Sequence, residues 1–365
     1  MSLLLLFIGE ATGTPSPAAI SPIEFGAYVR CLIGDQLGRV EAEVAPELGP
    51  VLWRFNDIGQ VKLKFTIRDP LFRKELIRFG GRVLLQFSNG LPDWGGVFDP
   101  PERWGSDGTI ETVVYEAAYL LGHRRTAKRL RLIDATVGTI LATVLDEANA
   151  VAEVGVTLGS VWYGGDLHRV EYNYTTLLDV LRKSIAQDLS SADWDVRPVY
   201  SGGYITFRVG LYEQKGSTKW GVCLIDGHNA EIEYQRVGNV INQWYVAGSG
   251  SDWSSLRKVG TAYDASSIST YGLREGVKVE SGLNYQYMLD NQAALLLAES
   301  KQTRNQIGAT SVNRAPALFQ EYDVGDTIQV MSHTVNYSGL VQVVAREFDP
   351  KTCMCKNVVE EVSSS

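Results

Sequence analysis

The sequence predicts a β-rich α+β fold, with a strand-rich unit at each end of the chain and a compact α+β unit between them. Three observations carry this. Val61, Leu63, Phe65 and Ile67 alternate with Lys62, Lys64, Thr66 and Arg68, the period of a strand with one dry and one wet face. At Ala135 the period lengthens to that of a helix, with Val137, Ile140, Leu141, Val144, Leu145 and Ala148 on one side. Beyond Val324 strand-like text returns and runs to Val362.

Taken in order, the chain begins with the apolar run Leu3 to Ile8, far short of the ~20 residues a bilayer span requires and lacking the basic flank of a signal peptide. We read it as a strand or docking arm. Ala11 to Pro22, rich in Pro, Ser, Thr and Ala, is a linker. Phe25 to Val29 reads as a strand, and Pro46, Gly49 and Pro50 mark a loop. Then comes a meander. Its strands are Val61 to Ile67, Val83 to Phe87, Trp94 to Phe98 and Thr109 to Tyr115, strand-like as far as Leu121, punctuated by Asp69-Pro70, Ser88-Asn89-Gly90 and Asp107-Gly108. Such spacing favours a sheet curled on itself as a small barrel or sandwich.

The helix after Ala135 has Thr136 as its cap and Asn149 near its end. A second helix spans Thr176 to Leu189, where Thr176 and Asp179 form a capping box and Leu177, Leu178, Leu181 and Ile185 the buried stripe. Asp195 to Tyr200 and Ile205 to Leu211 follow as a hairpin. Ala230 to Ala247 reads as another strand pair about Gly238-Asn239, and Leu289, Ala293, Leu296 and Leu297 mark a third helix ending near Arg304. The closing strands are Gly325 to Val330, Leu340 to Phe348 and Cys355 to Val362.

A chain of 365 residues exceeds one ordinary core, so two or three domains are expected. The formal charge of −8 argues against a protein that grips nucleic acid, and the basic cluster from His123 to Arg131 reads as a solvated face. The four cysteines, Cys31, Cys223, Cys353 and Cys355, are too scattered to staple the chain and read as reduced, with no further ligand near Cys353 and Cys355 to complete a metal site. No cofactor is implied. The sequence has no Gly-x-Ser-x-Gly, no Gly-Lys-Ser/Thr phosphate loop, no Gly-x-Gly-x-x-Gly and no His-Glu-x-x-His. Asp93, Asp99, Glu102 and Asp107 crowd around Trp94 and Trp104, the residue types of a glycosidase or a sugar platform. We read the carboxylates as turn formers, and Trp94 and Trp104, with Leu4, Leu5 and Phe7 of the arm, as candidate protein contacts.

With these residues laid out, the chain resembles a bacteriophage minor tail protein of the baseplate-hub, or tail-associated, family. The likeness runs through Ile67-Arg68-Asp69-Pro70-Leu71-Phe72, Gly81 to Phe87, Trp94-Gly95-Gly96-Val97-Phe98 and Leu120-Leu121-Gly122-His123-Arg124-Arg125. It continues in the polar segment Asp264 to Glu275, with Ser266-Ser267-Ile268 and Tyr271-Gly272, and in Val324-Gly325-Asp326-Thr327-Ile328. The resemblance implies two tube-like β-barrel domains interrupted by smaller α+β insertions, assembling as a ring. The corresponding boundaries are an arm and linker over 1–21, a first barrel over 22–135, an α+β insertion over 136–230, and a second barrel over 231–365 interrupted within 250–304.

Three such subunits would present six barrels, letting a homotrimer join a sixfold tail tube to the distal tip around the DNA exit channel. The implied neighbours are the distal tail protein, the tail tube and tape-measure proteins, and tip or fibre proteins. DNA would pass without specific binding, which an acidic wall suits. The implied protein is a structural part of the virion, made in the host cytoplasm, and not an enzyme. No fibre or lysin module is expected beyond Ser365. The alternative is a carbohydrate-binding or glycan-hydrolysing β protein built on the Trp94 and Trp104 loop.

Overall fold

The computed structural model describes residues 28–99, 102–126, 129–190, 192–237, 240–249, 257–280, 285–301 and 304–362. Its opening strands are β1 (Val29–Gly34), β2 (Val40–Val44), β3 (Glu47–Leu48), β4 (Val51–Arg54), β5 (Gln60–Thr66), β6 (Arg82–Phe87), β7 (Trp94–Phe98), β8 (Arg103–Trp104) and β9 (Thr109–Glu116). All but β4 form one antiparallel sheet in the order β2-β1-β6-β7-β9-β5-β3, with β8 added to β9. The edge strands β2 and β3 are separated in sequence only by Ala45 and Pro46, so the sheet curls back towards its own beginning.

Local sequence explains which strands are covered. Along β5 the core receives Val61, Leu63 and Phe65 while Lys62 and Thr66 face water, so the alternation describes a strand dry on one side only. Strands β1, β6 and β7 are dry on both sides. Cys31, Ile33, Val83, Leu85, Trp94 and Phe98 point into the curl, whereas Leu32, Leu84 and Val97 point outwards into a second core beneath the α+β insertion. That is why Cys31-Leu32-Ile33 and Val83-Leu84-Leu85 read as unbroken apolar runs. Each outward side chain removed from water contributes roughly 1.5–3 kcal/mol to holding the insertion in place.

The insertion contains α1 (Tyr119–Gly122), β10 (Leu130–Ala135), α2 (Val137–Val151), β11 (Val156–Val161), β12 (His168–Tyr172), α3 (Leu177–Asp179), a π-helix over Val180–Leu189, β13 (Asp193–Ser201) and β14 (Tyr204–Tyr212). Thr136 caps α2 by accepting from the Thr139 N–H, and Thr176 caps α3 by accepting from the Asp179 N–H. The expected hairpin is present as β13 and β14, with β11 parallel to β14 on its other side. Two features differ from the sequence reading. Leu120 and Leu121 lie in the short helix α1 rather than extending β9, and β11 and β12, which no alternation announced, fill the space between the helices. β12 pairs with β10 and leaves mainly Tyr172 buried, so it carries almost no apolar signal.

The remainder comprises β15 (Thr218–Ile225), β16 (Ala230–Val237), β17 (Gln243–Ala247), β18 (Val259–Tyr263), α4 (Ala265–Tyr271), β19 (Glu275–Val279), α5 (Gln286–Ser300), β20 (Arg304–Val312), β21 (Thr327–Ser332), β22 (Tyr337–Asp349) and β23 (Met354–Glu361). A second sheet runs β15-β21-β22-β23-β20-β16, with β4 arriving from the first part of the chain to pair with β22. Its edges approach each other at the Asp226 to Ala230 bridge. The two strands expected as a pair about Gly238-Asn239 therefore part company: β16 joins β20, and β17 founds a small separate sheet, β18-β17-β19, packed on α5. Within the segment read only as polar, Asp264 caps α4 by accepting from the Ser267 N–H at 2.8 Å. Its carboxyl is held well below the ordinary range, first by the Ser266 hydroxyl and then by that N–H and Lys301.

The two large sheets repeat one pattern. Let β1, β2 with its continuation β3, β5, β6, β7 and β9 be the first to sixth strands of one unit, and β15, β16, β20, β21, β22 and β23 those of the other. The order around each sheet is then first, fourth, fifth, sixth, third, second. The difference is that β1 runs antiparallel to β6, whereas β15 runs parallel to β21. One continuous core joins the two curls, bridged by Trp53 against Phe87 at 5.4 Å and Phe87 against Phe348 at 5.9 Å between ring centres.

Candidate functional site

The Trp94 loop folds inward. Trp94 is 1% exposed and its indole N–H donates to the Leu52 carbonyl at 3.1 Å. In this fold it is a core residue, which corrects its reading as a surface contact or sugar platform. Its glycines give the reason. A Cβ at Gly96 would stand 2.6 Å from the Trp94 ring, and one at Gly95 would stand 2.5 Å from Pro198 of β13. Trp-Gly-Gly thus lets the indole lie along its own strand on one face and lets the insertion close down on the other. The backbone of Trp104 pairs with Ile110, but its side chain, like Leu4, Leu5 and Phe7, lies outside the described residues.

Three of the nearby carboxylates are held by hydrogen bonds within the fold. Asp107 accepts from the Thr109 N–H at 3.1 Å and the Thr109 hydroxyl at 2.7 Å, which hold its carboxyl below the ordinary range. Asp93 accepts from the Gln86 amide at 3.0 Å, and Asp99 from the Tyr119 hydroxyl. Burial, with Asp99 beside it, pushes that phenol up to about 12. Among the described residues no group of His, Cys, Asp and Glu is arranged to hold a metal ion. The four cysteines are free, and burial pushes the Cys31 thiol up to about 12, out of reach as a nucleophile.

What the fold does assemble is a charged junction where the insertion meets both sheets. Arg197 on β13 donates from Nε to Asp195 at 2.6 Å and from Nη2 to Asp323, just before β21, at 2.5 Å. Lys215 pairs with Asp195 at 3.1 Å, and its backbone N–H donates to Asp193 at 2.7 Å. From the first unit Asn56 donates to Asp193 at 2.9 Å and accepts the Trp194 N–H at 2.7 Å. Burial opposes the charge on Arg197, yet Asp323 and Asp195 outweigh it and hold the guanidinium above its ordinary pKa. The two partner carboxyls are lowered in turn: burial works against them, but Lys215 and Arg197 prevail at Asp195, and Arg197 and Lys215 at Asp323. A set in which every charge has a partner fixes the relative placement of three units at low cost. Sequence reading missed it, because only the Asp195 and Arg197 spacing is local, while Arg197 and Asp323 are 126 positions apart.

Glu116 lies at the edge of this junction and accepts the Gly59 N–H at 2.8 Å. Burial pushes its carboxyl from 4.5 up to about 7, against the pull of Gly59, Arg197 and Lys215. A carboxyl that holds its proton more tightly when folded favours the fold fully below about pH 4.5, and that contribution is lost as pH rises through about 7. Glu116→Gln keeps an acceptor for Gly59 and removes the charge. We expect it to match the wild type at pH 4 and to exceed it at pH 8 by up to about 3 kcal/mol in urea unfolding. Equal stability at both pH values would contradict a carboxyl that the fold desolvates.

No protein-family model matches the sequence, and a search of curated proteins finds no match. Comparison with solved structures is decisive. The 43 kDa tail protein of prophage MuSo2 from Shewanella oneidensis superimposes with a TM-score of 0.59 over 92% of this chain and 98% of that one, at 14% identity. A tail protein from Neisseria meningitidis gives 0.59 over 93% and 97%, at 13% identity. This chain has the fold of phage tail proteins. Prophage tail protein gp18 of Listeria monocytogenes gives 0.55 over 92% and 95%, at 12% identity. The likeness spans nearly the whole of each tail protein, so it is a likeness of the entire fold.

Proposed function

We propose that this protein is a non-enzymatic structural hub of a phage tail tip, a homotrimer forming a ring around the DNA exit channel and joining a sixfold tail tube to the distal tip. The observation that carries the reading is the repeated strand order of the two curled sheets. Two equivalent tube-like domains per chain, taken three times, give six similar edges around an axis, which is what a trimer needs to match a sixfold ring. The continuous core and the charged junction keep the two domains of one chain in fixed relation, as a closed ring requires of its members. The shared tail-protein fold supports the same reading. The formal charge of −8 suits a channel that DNA must leave without sticking. In this assembly the neighbours are the distal tail, tube, tape-measure and tip or fibre proteins. With Trp94 in the core, the glycan reading is left with Trp104 alone as its platform.

Light scattering of the purified chain should give about three times its 40.2 kDa mass, and negative-stain images should show rings with a central opening. A protein that stays monomeric at tens of micromolar and never enters particles with tail-tube partners would refute the hub reading.

A further inference from the structure

Among the described residues, the small unit formed by β17, β18, β19 and α5 is covered on one face only. Its core is Val246, Leu289 and Ala293, with Trp244 and Ala262 packed beside them, all on the side of the sheet that α5 covers. By strand alternation the other side carries Val259, Tyr263, Val277 and Val279, which are 40%, 69%, 70% and 57% exposed. The register places Val259 and Val279 on either side of Ala247, and Val277 beside Tyr245, so these side chains form an apolar patch at one end of the face, while Gln243, Thr261 and Glu275 separate it from Tyr263. A sheet face of this kind marks a contact surface.

We propose that Leu3 to Ile8 of one copy docks on this face of the small unit in a neighbouring copy. This rests on the hub reading. The run Leu3-Leu4-Leu5-Leu6-Phe7-Ile8 is apolar throughout. As a strand it would be ~20 Å long, a match for the five-residue strands β18 and β19. It precedes Tyr28 by a tether of residues 9–27, which reaches up to ~60 Å when extended.

The tether starts near one end of β20, the end away from the small unit. The Tyr28 carbonyl accepts from the Ser88 N–H, and the adjacent Asn89 carbonyl accepts from Asn313, just beyond the last residue of β20. The small unit joins the second sheet at the opposite end of β20, where Arg304 begins a nine-residue strand ~30 Å long. The tether is long enough to reach the small unit of its own chain or of the next copy, and the isotope pattern of the cross-link below distinguishes the two. An arm passed to the next copy ties the ring together, converting each docking into a tethered event at high effective concentration.

The test places a photoreactive benzophenone side chain at position 277 of the full-length protein, assembled from an equal mixture of nitrogen-15-labelled and unlabelled chains. We expect irradiation to join position 277 to a peptide from residues 1–27, with about half of the cross-links pairing a heavy with a light chain, as random closed assembly demands. Val277→Asp with Val279→Asp, both at exposed positions, should leave the urea midpoint unchanged while reducing by tenfold or more the cross-link from a benzophenone at position 7. Cross-links that are isotopically uniform, or that join position 277 to anything other than the arm, overturn the proposal. Light scattering of the wild type separates the two readings: a trimer without the arm cross-link refutes only the docking, whereas a monomer refutes the hub.

Discussion

Trp94→Ala lowers the unfolding free energy by about 3–5 kcal/mol, the range for truncating a fully buried aromatic side chain. The indole fills the inner face of the first sheet and its N–H holds the Leu52 carbonyl at 3.1 Å. Leu52 belongs to β4, the strand that crosses to pair with β22, so the cavity would open where the two curled sheets share their core. Against a typical total stability of about 5–15 kcal/mol, a loss of that size shows as a large fall in the urea midpoint and as aggregation during expression. Trp94→Phe, which keeps most of the volume and loses the hydrogen bond, should cost less. A surface contact residue would behave in the opposite way, leaving the midpoint unchanged and weakening only assembly. An unaltered midpoint for Trp94→Ala would therefore return the residue to the surface role its loop suggests.

Arg346→Ala should destabilise the second unit by a similar amount, about 3–5 kcal/mol. Arg346 is fully buried on β22, opposite Trp53 of β4, with its guanidinium 4.1 Å from the centre of the Tyr322 ring. One of its terminal nitrogens donates to the Tyr322 carbonyl at 2.5 Å and the Phe319 carbonyl at 3.3 Å. Removal leaves both carbonyls buried without that donor and opens a cavity the size of a long side chain. Arg346→Lys does not fully rescue it, because an ammonium lacks the flat surface that stacks on Tyr322. Hydrogen exchange localises the effect, with amides of β20, β22 and β23 losing protection before those of β1 and β6. A variant within about 1 kcal/mol of the wild type would show that the guanidinium is not an anchor.

The strands and helices of this chain were legible where one period ran long enough to be counted. β5 alternates over its length, α2 repeats at helical spacing behind a Thr cap, and β22 and β23 return to alternation, because each has one face in a core and one in water. β11 and β12 escaped because few of their side chains are buried, and α4 because its cap, Asp264, sits in a run with almost no apolar residues. The unbroken runs in β1 and β6 contained a further message: a strand apolar on both sides needs a cover on both sides, and the insertion is that cover.

Sequence by itself determined the β-rich α+β class, the placement of an α+β unit between two strand-rich ones, and the likeness to tail proteins, since each depends on patterns spanning neighbouring residues. Only the tertiary structure decided what pairs at long range. It carried β4 out of the first unit to β22, parted β16 from β17, set Arg197 between Asp195 and Asp323, and turned Trp94 inward over Gly96. The physical reason is common to all four: a strand's free edge, a buried charge and a large ring are each satisfied by whatever partner the closed fold delivers. The spacing of residues along the chain does not encode that partner.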